Sequence, residues 1–140
     1  MVVIPLPYTT KKGAKMTKIE TINTHQLPHS EDGNNGIHIL VADEKGAGGA
    51  NHEYKILLLD KIETTNISFQ NGTVLENGTN GITMEALLAI CAHRLEGFQS
   101  GNFPSVSNQV ALDYINAAIA SLQSRTMERI NRGVKGLTVA

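Results

Sequence analysis

Arg125, Arg129 and Arg132 follow one another at spacings of four and three residues near the end of the 140-residue chain, the separation of neighbours on one helix face. A guanidinium is planar and permanently charged, and its forked donors match phosphate oxygens better than an ammonium does. A row of such forks suits a diphosphate. Cations are also favoured at the C-terminal pole of any helix, so the same row reads as well as a solvated helix end. Phe98 and Phe103 bracket a short break upstream, in a chain with only three phenylalanines, three tyrosines and no tryptophan. Either ring could stack on a nucleobase, a contact of about 1–3 kcal/mol, or fill the apolar gap at a helical turn. Asn108, just after the break, carries the donor and acceptor that read a base or ribose edge, and is also a common helix cap.

Other chemistries find less support. The run EKGAGGAN at 44–51 is glycine-rich, yet it lacks the Gly-Lys-Ser/Thr ending of a phosphate-binding loop and leads into a strand, so it reads as a flexible loop. His25, His29, His38, His52 and His93 offer no helical pair suited to a metal, because Pro28 interrupts the one pair four residues apart. No metal site or cofactor is expected. The chain also lacks Gly-x-Ser-x-Gly, paired His-x-Thr and HExxH, which argues against an enzyme.

Composition narrows the class further. The formal charge is −1, so binding to a phosphate must come from a local arrangement of cations, and long nucleic acid is disfavoured. With 41% hydrophobic and 18% charged residues the chain is globular in type, and no apolar run reaches the roughly 20 residues of a membrane span. The single cysteine, Cys91, cannot form an internal disulfide and reads as a small buried thiol in a reducing cytosol. Three Asn-x-Ser/Thr sequons, at Asn66, Asn71 and Asn77, read as turn residues. Residues 1–15 put an apolar run before the charges, the reverse of a signal peptide, and read as a disordered leader or expression remnant with Met16 as the natural start.

The elements that must position these residues fall into two halves of one domain, 16–140. Through 16–80, β-branched and apolar runs alternate with turn formers, predicting strands near 19–23, 37–42, 52–59 and 64–70. Asp60 and Lys61 mark the bend of an antiparallel hairpin whose Tyr54, Ile56, Leu58, Ile67 and Phe69 share a buried face. Asn71-Gly72 and Asn77-Gly78 flank the run TVLE, which reads as part of a small meander. Through 81–140 the period becomes helical. Met84, Leu87, Leu88, Cys91, Leu95 and Phe98 predict one helix over about 84–98, capped by Thr83, with Glu85 in its first turn and Gly97 or Gly101 at its end. Ala111, Ile115, Ala118 and Leu122 predict a second that packs back on it and runs into the arginine row. The expected fold class is α+β, a small N-terminal antiparallel sheet followed by an antiparallel helical hairpin.

Taken jointly, ADEKGAGGANHEYKI at 42–56, FQNG at 69–72, NGITMEALLAICAHRLEGFQSGNF at 80–103 and RTMERINRGVKG at 125–136 resemble the first-described Thoeris anti-defence family of phage proteins. The resemblance runs from about Thr17 to Gly136. It implies a sponge in the cytoplasm of an infected bacterium, binding glycocyclic ADP-ribose made by a TIR-domain enzyme without cleaving it. The helical hairpin is also similar to that of sponges for the cyclic di- and trinucleotides of CBASS defence, which implies a second ligand class at a separate site. The family pocket lies at a subunit junction and implies a homo-oligomer, a dimer or a hexamer. Its aromatic, asparagine and two arginines correspond to Phe98, Asn108, Arg125 and Arg129, with Arg94 and Arg132 as weaker candidates. Ser105-Val106-Ser107 and Lys135 depart from the family pattern, in which charged residues precede the asparagine and an acidic residue replaces the lysine. The competing function is an enzyme that degrades the same signals; a structural phage module or nucleic-acid accessory is the third.

Overall fold

Successive side chains on a strand point to opposite faces, so alternation in sequence becomes a two-faced sheet. The structure, a computed structural model, describes residues 9–12, 15–27, 36–58 and 63–133. The chain divides into two units, Met1–Asn71 and Gly72–Ala140.

In the first unit, β1 (Thr9–Lys12) and β2 (Lys15–Lys18) pair antiparallel, Thr9 opposite Lys18. This hairpin takes in residues that the sequence reading leaves outside the domain. Four further strands, β3 (Thr21–Ile22), β4 (Ile37–Val41), β5 (Glu53–Leu58) and β6 (Glu63–Ser68), form an antiparallel sheet in chain order. The expected hairpin is β5 with β6, Tyr54 opposite Ile67 and Leu58 opposite Glu63. Its bend at Asp60 and Lys61 lies outside the described residues.

The register places Tyr54, Ile56 and Leu58 on one face with Ile67, but these side chains are only half-buried. The deepest burial is on the other face, where Leu40 is 1% exposed and Leu57 faces the buried His38. Val41, opposite Tyr54, is buried as well, so β4 is shielded on both sides. Tyr54 and Phe69 meet edge to face, with ring centroids 5.8 Å apart.

The glycine-rich segment between β4 and β5 is stitched at several points, against the expectation of a flexible loop. The Gly46 N–H donates to the Ala50 carbonyl at 2.8 Å, and the Ala47 N–H to Asn71 Oδ1 at 3.3 Å. Asp43 anchors the far end, its Oδ2 accepting the His52 N–H at 2.9 Å and its carbonyl accepting Asn51 Nδ2 at 3.0 Å. Gly48 and Gly49 take φ of 71° and 79°, a turn that other residues resist.

The second unit opens with a correction. The run TVLE is helical, not extended: α1 (Val74–Asn77) is a single turn, with Thr73 Oγ1 accepting the Glu76 N–H at 3.3 Å. Threonine followed three residues later by glutamate is a capping signature, and here it outweighs the strand preference of Thr and Val. Gly72, at φ 79°, supplies the sharp entry, and a Cβ there would run into the Asn77 amide, which is itself bonded to the Thr73 carbonyl at 3.1 Å. Gly72→Ala is therefore expected to destabilise the chain by more than the roughly 1–2 kcal/mol of left-handed backbone alone. Gly48→Ala, at φ 71° with open space around it, should cost only that backbone part. Urea midpoints of the two variants check the difference.

Two long helices follow, α2 (Met84–Ser100) and α3 (Val106–Asn131). Thr83 caps α2 as expected, its Oγ1 accepting the Ala86 N–H at 3.1 Å, and of the two candidate stops it is Gly101 that ends the helix, donating its N–H to the Phe98 carbonyl. The packed stripe of α2 follows the expected one only in part, at Leu87, Leu88 and Leu95. Ala92 is buried and Glu85, Leu88, Leu95 and Gln99 are half-buried, whereas Met84, Cys91 and Phe98 are exposed. The inward face is thus turned to one side of the most apolar stripe. Cys91 is accordingly not the buried thiol expected of it. On α3 the expected stripe of Ala111, Ile115, Ala118 and Leu122 does face inward, around the buried Leu112. None of the described helices is long and apolar enough to cross a membrane.

Candidate ligand-binding site

The break between α2 and α3 is braced by one side chain. Gln99 donates from Nε2 to the Ser105 carbonyl at 3.0 Å and accepts the Ser105 N–H on Oε1 at 2.9 Å, so its amide pairs with the Ser105 backbone as a strand would. Ser105 Oγ in turn accepts the Asn108 N–H at 3.0 Å and caps α3. A hydroxyl three residues ahead of Asn108 therefore takes the capping role that the asparagine was a candidate for. The Asn108 side chain, half-buried in the first turn of α3, makes no hydrogen bond among the described residues and keeps its donor and acceptor for another partner.

Phe98 ends at the same break, in the last turn of α2, and is 38% exposed. Its ring carries the Arg94 guanidinium at 5.1 Å from the centroid. Phe103 is 76% exposed, so it does not fill the gap at the turn. The hairpin end is thus lined by aromatic and amide groups that a planar base can use.

The arginines lie elsewhere. Because α3 is one uninterrupted helix, a rise of about 1.5 Å per residue puts Arg125 about 25 Å and Arg129 about 32 Å from Asn108 along its axis. Arg125 is exposed and makes no ion pair or hydrogen bond among the described residues, while Arg129, one turn on, is half-buried. Arg132 pairs with Glu128 at 3.4 Å, and its N–H closes the end of α3, which suits a structural part. The structure brings Phe98 to the Asn108 end and Arg125 to the Arg129 end. A single hairpin does not bring the two pairs together.

Residues 61–126 match the family described as Acb2/Tad1, hairpin domain. Over 100 residues, 69% of this chain and 69% of the other, the sequence is 36% identical to "Thoeris anti-defense 1" of Bacillus phage SBSphiJ7. The chain belongs to the Thoeris anti-defense 1 family. The matched hairpin segment spans all of α2 and most of α3, so Phe98, Asn108 and Arg125 fall inside it and Arg129 just beyond its end. Sequence reasoning missed Gln99, which left no signal because a glutamine in a last helical turn is ordinarily solvated. Arg94 was already a candidate, and its contact with Phe98 had a signal as well: four residues before the ring, it stands at the spacing at which helix side chains meet.

Proposed function

We propose that this chain is a sponge that holds glycocyclic ADP-ribose, the signal of TIR-domain enzymes in Thoeris defence, inside the infected bacterium and does not cleave it. The observation that carries this reading is the kinship with a Thoeris anti-defense protein over more than two thirds of both chains. The side chains agree with it. Phe98 stacks on the adenine, Asn108 bonds to the base or ribose edge, and Arg125 and Arg129 clamp the diphosphate.

The separation of the two pairs supports a site formed between copies of the chain. A ligand built from one adenine, two riboses and a diphosphate does not span 25 Å, so the base-binding end of one hairpin must meet the arginine end of another copy. Self-association also answers a packing need. Each long helix has one buried residue, Ala92 or Leu112, while Ile90, Val106, Val110, Tyr114 and Met127 lie open to solvent. The working assembly is therefore a homo-oligomer, a dimer or a hexamer, whose junction excludes water and strengthens the charged contacts. Cyclic di- or trinucleotides occupy a separate site on this reading.

A release assay tests it. Purified protein is mixed with glycocyclic ADP-ribose, freed of unbound ligand and denatured, and the released compound is chromatographed. Sequestration returns intact ligand in stoichiometric amount. A changed product makes the protein an enzyme instead, and an empty protein removes this ligand from the proposal.

A further inference from the structure

Arg94 and Phe98 stand one turn apart on α2, and the guanidinium carbon lies 5.1 Å from the ring centroid. The positions three and four residues to either side of Arg94 are Ile90, Cys91, Gly97 and Phe98, so its own helix offers no carboxylate, and no ion pair or hydrogen bond engages it among the described residues. The ring is its partner. A cation over an aromatic face is held by the ring quadrupole and draws π density toward itself, which leaves the opposite face less negative. Arg94 caps one face, yet Phe98 remains 38% exposed. A less negative face stacks better on an electron-rich purine, and a ring pinned in one rotamer loses less freedom when the base arrives.

Resting on the sponge reading of the site, we infer that Arg94 is a positioning residue for the base, forming a three-layer stack of guanidinium, phenyl ring and adenine. It acts through Phe98 and makes no contact with the ligand phosphates. This predicts coupling. The effect of removing Arg94 disappears once the aromatic ring is gone, whereas a direct phosphate contact would persist.

The test is a cycle on the full chain with glycocyclic ADP-ribose as probe, comparing wild type, Arg94→Gln, Phe98→Leu and the double variant by calorimetry. Proton NMR of the adenine H2 and H8 reports the ring-current shift of the stack. Phe98→Leu keeps the apolar bulk and removes the π face, so the helix is retained. Arg94→Gln is expected to weaken binding about three- to thirtyfold and to shrink the upfield shift, with part of the affinity restored in Arg94→Lys. In the Phe98→Leu background the same change should add nothing. Equal losses in both backgrounds would overturn the inference and place Arg94 on the phosphates. An Arg94→Gln variant that binds like wild type, with Phe98→Leu still impaired, would overturn it while leaving the site reading intact. Unchanged binding by Phe98→Leu would remove the stack itself, and the site reading with it.

Discussion

Arg129→Ala is expected to weaken binding of glycocyclic ADP-ribose by about ten- to a hundredfold, with the helical content of the protein unchanged. The range follows from a hydrogen bond to a charged group, about 1.5–3 kcal/mol, at about 1.4 kcal/mol per factor of ten. Arg129 is half-buried in the last turn of α3. Part of its value there is structural, since a cation at that pole stabilises a helix by about 0.3–1 kcal/mol. Two readouts separate the parts. A melting curve registers the pole effect, which Arg129→Lys should preserve. Calorimetry registers the clamp, which lysine should restore only in part because an ammonium cannot present two parallel donors. An Arg129→Ala protein that binds as tightly as the unaltered one would take this residue out of the site.

Where propensity and pattern agreed, the sequence was a good guide to the elements. The strands of the sheet and the Thr83 cap rest on short-range chemistry, alternation in one case and a hydroxyl before a helical period in the other. The inward face of α2 was not legible because the helix carries two overlapping stripes. The expected stripe of Met84, Leu87, Leu88, Cys91, Leu95 and Phe98 is packed only at its three leucines, and the packed stripe adds Glu85, Ala92 and Gln99, with polar residues at both ends. Hydrophobicity alone selects the first stripe. Contact with α3 selects the second, which leaves Met84, Cys91 and Phe98 exposed. In α1, the pairing of Thr73 with Glu76 decided against the β-branched residues around it. Residue type and spacing offered Phe98, Asn108, Arg125 and Arg129 as candidates with ordinary packing, capping and helix-end roles beside them, and the family resemblance selected the four. The distance between the two pairs was implicit in the helical period that runs into the arginine row, and α3 bears it out by continuing without a break from Val106 to Asn131.

That separation leads to the second large effect, a recovery of binding from two defective proteins. If the base end of one copy meets the arginine end of another, Phe98→Ala and Arg129→Ala damage different halves of every site. Each variant alone should retain little affinity. When the two are unfolded together and refolded into mixed assemblies, some junctions pair the intact aromatic end of the Arg129→Ala chain with the intact arginine end of the Phe98→Ala chain. In a dimer with two equivalent junctions, a mixed pair holds one whole site and one doubly impaired site. Random pairing makes half of the dimers mixed, so about a quarter of all sites should bind at wild-type affinity, a stoichiometry that calorimetry reads directly. Refolding each variant separately before mixing supplies the control. A site confined to one chain predicts no recovery, because every chain in the mixture then carries one of the two lesions. The measured stoichiometry thus tests the proposal drawn from the long helix, that a second copy closes the distance of about 25 Å between Asn108 and Arg125.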